Sequence, residues 1–534
     1  MLLTTLTAAL LAQVTHTGSA RGATPVYRCE LGAWEPAFDH DLTGFPNPPA
    51  TSFNAVHMAL IPVGPKRGQV LVWDEPDGPS SPGSWMQRWS IVDPAPTPAF
   101  ENHELAMPNG LGDLFCSGHC WLPDGTLFVA GGTTRYARAN QSYLAGHLAY
   151  RFDPSVTGNG AWTRLRDMAT DRWYPSCILL AGGDVLVAGG TSDSSLPARN
   201  DCEIYDPTLG TWRLAASGSP LFDGPPQSQL EGYPRLFQLA SGPIFLAGMS
   251  PLTARATWSN GVLAWTPMTA SPTGERLFGS AVLFAGEPGC VDDRVLTTGG
   301  ERPYSHSPVV HDEVELCAAS ASSAPAWDWV SLPRLSTPRW NHNSVILPDG
   351  EVLVVGGCAR NELDPVQIFP KHAELFDGTA WRSCASAASP RDSHSTAMLL
   401  PDGRVLTAGG ESRTRDYQVF QPPYLTCGGA RPVITQAPTA VQTFDVAGAS
   451  YTVDFAPLPQ GVSLARLVLA RAGSITHHSD FDARHVVLKA TSIASTSATF
   501  EGPASHAQTP AGGYLLFLVT NEGVPSAASW VRVL

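Results

Sequence analysis

Residues 127–132 read LFVAGG, an apolar run closed by Gly-Gly, and the pattern returns along the chain. VLVAGG ends at Gly190, RVLTTGG at Gly300, EVLVVGG at Gly357 and RVLTAGG at Gly410. The spacings are 58, 110, 57 and 53 residues, and a weaker copy, PIFLAGM (243–249), lies near the middle of the long interval. VLVWDE (70–75) ends 57 residues before Gly132, which makes seven copies of one unit. Self-similarity at a fixed spacing marks a repeat architecture, in which a unit buries its apolar face only against its neighbours.

Working outward from each copy fills in the unit. LPDG at Leu122, Leu347 and Leu400 joins a preceding apolar run to the glycine-ending run, and Asp-Gly tolerates the positive φ of a hairpin turn. A third run and a Trp follow, as in CEIYDPTLGTW ending at Trp212 and AELFDGTAW ending at Trp381, with similar tryptophans at Trp162, Trp265 and Trp329. Four antiparallel strands per unit, seven times, is the propeller solution to exposed sheet edges, and the pattern resembles kelch repeats. After Gly410 the repeat stops, and QPPYLTCGGARP (421–432) is a Pro/Gly junction that a strand cannot cross. Short alternating runs such as SYTVDF, ARLVLA and GYLLFLVTN then predict six or seven strands in about 100 residues, the size of an immunoglobulin-like sandwich. The expected fold is all-β, a seven-bladed kelch-type β-propeller over 21–430 followed by an immunoglobulin-like β-sandwich over 431–534.

Composition agrees. Gly 50 and Pro 47 with only 15% charged residues describe tight turns and short strands and argue against long helices. The balance of 33 basic and 47 acidic side chains, a net charge of −14, with no basic stripe, excludes nucleic acid as a partner. Residues 1–20 have an apolar stretch over 2–11 and small residues Gly18, Ser19 and Ala20 before a possible cleavage point. They read as a signal peptide and predict a secreted or periplasmic protein. The apolar stretch is far below the ~20 residues that cross a bilayer, so no transmembrane segment is expected. Ten cysteines suit an oxidising compartment, and strand-edge geometry predicts a disulfide between Cys290 and Cys317.

Four segments could carry chemistry: LFCSG with Cys116, RWYPS with Tyr174, RDSHSTAMLLPDGRV with His394 and GSITHHSDFDAR with His477. Taken singly, Cys116 reads as a half-cystine, Tyr174 as a core tyrosine, His394 as a buried strand histidine and His477-His478 as a solvated loop. Taken together with the repeat and the closing GYLLFLVTNEGVPSAAS, the chain from about Ala37 onward resembles the galactose oxidase and glyoxal oxidase family of copper radical oxidases. The resemblance implies one copper ion held by Tyr174, His394 and His477, and a Cys116–Tyr174 thioether that carries a radical. It implies oxidation of a small aldehyde or primary alcohol by O2 with release of H2O2; a monomer is expected. Imidazole and phenolate donors in a tetragonal arrangement do suit Cu(II).

The chain departs from the family in two places. The axial tyrosine that serves as base is replaced by Ser393, whose hydroxyl is a poor base at neutral pH; His119 and His478 are candidate substitutes. The stacking tryptophan expected after Gly190 is replaced by Thr191-Ser192, which disfavours a hexose. The rival expectation is a catalytically impaired propeller that binds glycan or protein.

Overall fold

The computed structural model describes residues 28–534 apart from 47–52, 76–85, 109–111, 137–141, 194–200, 217–231, 248–250, 252, 260–261, 286–292, 303–308, 320–326, 362–363 and 412–415. The expected signal peptide and Cys290 lie outside the described residues. The chain is nearly all-β: the helices among the described residues are the short turns Arg28–Leu31, Pro423–Thr426 and Phe444–Ala447.

The strands of each copy pair antiparallel with one another, and the copy that contains Ser280–Phe284 shares its sheet with strands from beyond the junction. In one of them Asp113–Trp121, Leu127–Arg135, Ala149–Asp153 and Ala161–Arg164 follow in order. The LPDG hairpins form as their sequence requires, with Gly125, Gly350 and Gly403 at φ 86, 89 and 87°. Inner strands of successive sheets pack on one another: Asp113–Trp121 on Ser176–Leu179, and that on Arg235–Gln238. Ser280–Phe284 likewise packs on Trp340–Ile346, that on Ser395–Leu399, and that on His57–Leu60 of the first copy. The last sheet is completed by Ala33–Trp34 and Phe38–Asp39 from the start of the chain, and a Cys29–Cys427 disulfide fastens the same two regions. Cys317, expected to pair with Cys290, is a buried thiol.

A buried arginine accompanies four of the Gly-Gly pairs. Arg339 donates to the Gly356 carbonyl at 2.9 Å and pairs with Glu374 on the third strand of its unit, also at 2.9 Å. Arg172 does the same with Gly189 and Glu203, Arg276 with Gly299 and Glu315, and Arg391 with Gly409 and Asp416. The first glycine of each pair must come close: a Cβ on Gly299 would sit 2.3 Å from the Arg339 carbonyl oxygen, and one on Gly356 2.4 Å from that of Arg391. Breaking one such buried pair costs about 3–5 kcal/mol, because the partner is left charged and dry.

Beyond the junction, Ile434–Gln436, Ser450–Phe455, Ser497–Glu501 and Ala490–Ile493 form one sheet. Leu464–Arg471, Gly512–Thr520, Ser529–Val533 and His485–Val487 lie in a second. Val453, Phe455, Leu467, Phe500 and Leu516 fill the space between them. The second sheet continues into the repeat where His485 pairs with Phe284. A hairpin, Ser474–Thr476 and Ser479–Asp480, leaves this unit and adds to the inner edge of the first copy, with Thr476 opposite His57. A buried Arg471–Asp482 pair at 2.8 Å braces its base.

Candidate metal centre

Cys116, Tyr174 and His394 stand at the entry of the inner strands of three different copies, and His477 at the tip of the hairpin. All four have left-handed backbone, φ 61, 64, 65 and 54°. This conformation costs a non-glycine residue about 1–3 kcal/mol and needs surrounding structure to hold it. Tyr233, Phe278 and Asn341 occupy the same position in other copies, with φ 61, 51 and 53°. Backbone bonds link the series: Tyr174 N–H donates to Cys116 O at 3.0 Å, Tyr233 N–H to Tyr174 O at 2.9 Å, and Asn341 N–H to Phe278 O at 2.7 Å.

Three donor atoms converge. The Tyr174 hydroxyl lies 3.1 Å from His394 Nε2 and 2.9 Å from His477 Nε2. The Cys116 sulfur and one ring nitrogen from each histidine lie within 4.8 Å of one another. His477 is anchored by Thr476, whose hydroxyl donates to the Val56 carbonyl and lies 2.7 Å from His477 Nδ1. With the Thr476 proton committed, Nδ1–H is the donor and Nε2 keeps its lone pair.

Burial keeps the set neutral. It brings the His394 imidazole down to about 4 against the opposing Asp392 carboxylate, and depresses His477 well below its ordinary value, with His394 and His57 adding to the effect. It pushes the Cys116 thiol and the Tyr174 phenol well up. Near neutral pH both imidazoles offer lone pairs, while a metal must displace the phenolic proton.

The surroundings are aromatic. Trp173 packs edge-on to Tyr174 at 4.2 Å, Tyr143 stacks on Trp173 at 5.0 Å, and Phe115 stands edge-on to His394 at 5.3 Å. Thr191, at the position where the resemblance led to the expectation of a tryptophan, pairs by backbone with Trp173, and the aromatic cover comes from Trp173 and Tyr143. Neither was singled out by sequence reasoning, although Trp173 directly precedes Tyr174.

The two proposed substitutes for the axial base are not brought to the Tyr174 hydroxyl. His57 stands between His119 and the site: its Nε2 accepts the Cys116 N–H at 3.2 Å, and its Nδ1 is 3.3 Å from His119 Nε2. His119 Nδ1 meets Ser474 Oγ, so both ring nitrogens are engaged, and burial lowers the ring to about 3. His57 itself stacks on Trp73 at 4.6 Å and serves as a brace for the left-handed Cys116 peptide. His478 turns away from Tyr174 to face Phe278 and Tyr233, ring centroids at 5.7 and 6.3 Å. Ser393 is half-buried beside His394, and its carbonyl accepts the Glu411 N–H at 2.8 Å.

Comparison with known proteins agrees with the fold. Residues 431–533 match the family described as galactose oxidase-like, early set domain. A galactose oxidase of Gibberella zeae is 26% identical over 94% of this chain and 71% of its own length. An aldehyde oxidase of Vitis pseudoreticulata is 27% identical over 79% of this chain and 82% of its own. A fungal alcohol oxidase solved in complex with copper superimposes with a TM-score of 0.72 at 23% identity, covering 94% of this chain and 99% of its own, a likeness of fold. Residues 431–533 therefore carry a galactose oxidase-like early set domain on a nearly all-β chain. Over most of its length the chain is similar to relatives named galactose oxidase and aldehyde oxidase.

Proposed function

We propose that this protein is a copper radical oxidase that oxidises a small alcohol or aldehyde with O2 and releases H2O2. The observation that carries the reading is the convergence of Tyr174 Oη, His394 Nε2 and His477 Nε2 from three parts of the chain. One phenol oxygen and two imidazole nitrogens, all buried and neutral, fit Cu(II), and relatives named galactose oxidase and aldehyde oxidase support it. Copper at these atoms, with an oxidised Cys116–Tyr174 thioether, would supply a two-electron oxidant for a carbon–hydrogen bond.

The chain's own groups do the rest. Tyr174 gives up its proton when the metal binds, and His394 and His477 hold the metal without competing protonation near neutral pH. Trp173 and Tyr143 cover the Tyr174 ring and exclude water from it. Because Ser393 offers no phenolate, the hydroxyl proton of the substrate passes to water in that place, which slows the step relative to a positioned base. The same reading takes the repeat's seven sheets as the blades of one propeller over 21–430, ahead of the sandwich over 431–534, in an exported protein.

The test is a copper titration of the purified protein followed by peroxide detection across small alcohols and aldehydes. One copper per chain with peroxide from at least one substrate is expected. A protein that takes up no copper is a binding module, the reading that Ser393 favours.

A further inference from the structure

The two histidines of the centre differ in what holds their outer nitrogen. His477 Nδ1 rests on Thr476 Oγ1 at 2.7 Å. His394 Nδ1 is buried and has no hydrogen-bond partner among the described residues, and Glu411 Oε1 lies 3.7 Å from it. Glu411 directly follows Gly409-Gly410, and its N–H donates to the Ser393 carbonyl at 2.8 Å. That bond seats Glu411 beside the residue before His394. The turn depends on the glycines: a Cβ on Gly409 would lie 2.5 Å from the His394 carbonyl oxygen, and one on Gly410 2.6 Å from Asp392 Oδ1. The Glu411 side chain is 60% exposed, so a rotation about its own bonds can close the remaining gap of about 1 Å to hydrogen-bond distance.

A neutral imidazole that gives its Nε2 lone pair to a metal carries its proton on Nδ1, and that N–H needs an acceptor, most often a carboxylate or carbonyl. The geometry points to Glu411 as the positioning residue for His394: it accepts the Nδ1 hydrogen, holds the ring with Nε2 toward Tyr174, and fixes the tautomer that a metal requires. The inference rests on the copper reading and adds to it a residue that lies 17 positions after His394 in the chain.

The test compares wild type, Glu411→Ala and Glu411→Gln, each folded without copper and titrated with Cu(II) against a chromogenic chelator, with an EPR spectrum of each copper form. Glu411→Ala is expected to weaken copper binding about 10- to 100-fold and to alter the nitrogen hyperfine pattern. Glu411→Gln, whose amide oxygen still accepts, should stay within about threefold of wild type and keep its spectrum. An alanine variant with unchanged affinity and spectrum overturns the assignment while leaving the copper site standing. A glutamine variant as weak as the alanine variant overturns it too, since the effect would then be one of charge alone. Wild type that binds no copper overturns the copper reading and this inference together.

Discussion

The repeat puts the same backbone device on two sets of inner strands and gives them different chemistry. Cys116, Tyr174 and His394 carry a thiol, a phenol and an imidazole at the left-handed position, whereas Phe278 and Asn341 occupy it elsewhere with the same φ sign. Both sets are held by a buried arginine where the copy has one: Arg172 and Arg391 on the first, Arg276 and Arg339 on the second. The scaffold therefore supplies strain and placement on both sides. What selects the reactive side is side-chain identity together with the hairpin from the second unit, which adds His477 and places it against Tyr174.

Removing the arginine from each side gives the largest expected effect. Arg172→Ala and Arg339→Ala should each destabilise by about 3–5 kcal/mol in denaturant unfolding, but only Arg172→Ala, two residues before Tyr174, should also lower copper affinity in the folded protein. Equal loss of copper affinity in both variants would erase the distinction between the sides.

Side-chain identity comes next. His394→Ala and His477→Ala should weaken copper binding by more than about 100-fold, exceeding the loss of a supporting hydrogen bond. Asn341→Ala, at the same backbone position, should leave it unchanged in the same chelator competition. Copper uptake should also depend on pH with a definite sign. The Tyr174 phenol is raised by burial and stays protonated in the free site, so binding releases its proton and apparent affinity should climb about tenfold per pH unit from roughly 6 to 8. His394, lowered to about 4, adds nothing to that slope; a flat profile would show that Tyr174 is not a ligand. The smallest effect expected is a several-fold gain in peroxide rate for Ser393→Tyr at nearly constant copper affinity, because a phenol there restores a base without touching the three donors. A rate that does not rise would show that proton removal is not limited by residue 393.

Much of this was legible in the sequence, for physical reasons that also mark the limits. The hairpins, the Gly-Gly pairs and the fourth-strand tryptophans are local, and local chemistry reads directly: the tryptophan of AELFDGTAW stacks on its own Phe376 at 4.9 Å. Cys116, Tyr174, His394 and His477 were legible only as a set, since each alone is an ordinary buried residue. The partners that hold them were hidden by distance along the chain. His57 meets the Cys116 peptide across 59 positions from the weakest end of the repeat, and Cys29 meets Cys427 across 398. The arginines recur ahead of the left-handed position in RWY, RLF, RWN and RDSH, a signal that the Gly-Gly spacing does not carry because the Arg–carboxylate partner lies on the third strand. His119 and His478 stand apart from the Tyr174 hydroxyl for separate reasons. Strand alternation gives the face of His119 but not the intervening His57 ring, and the positive φ of His477 breaks the simple alternation that would place His478.

One covalent bond tests the copper reading most directly. Purified protein kept free of copper should show Cys116 as a free thiol; after one equivalent of Cu(II) in air, the Cys116 and Tyr174 peptides should appear joined, with the intact mass lower by two hydrogens. A Cys116 that remains free after copper and air, or that is found in a disulfide, would contradict it.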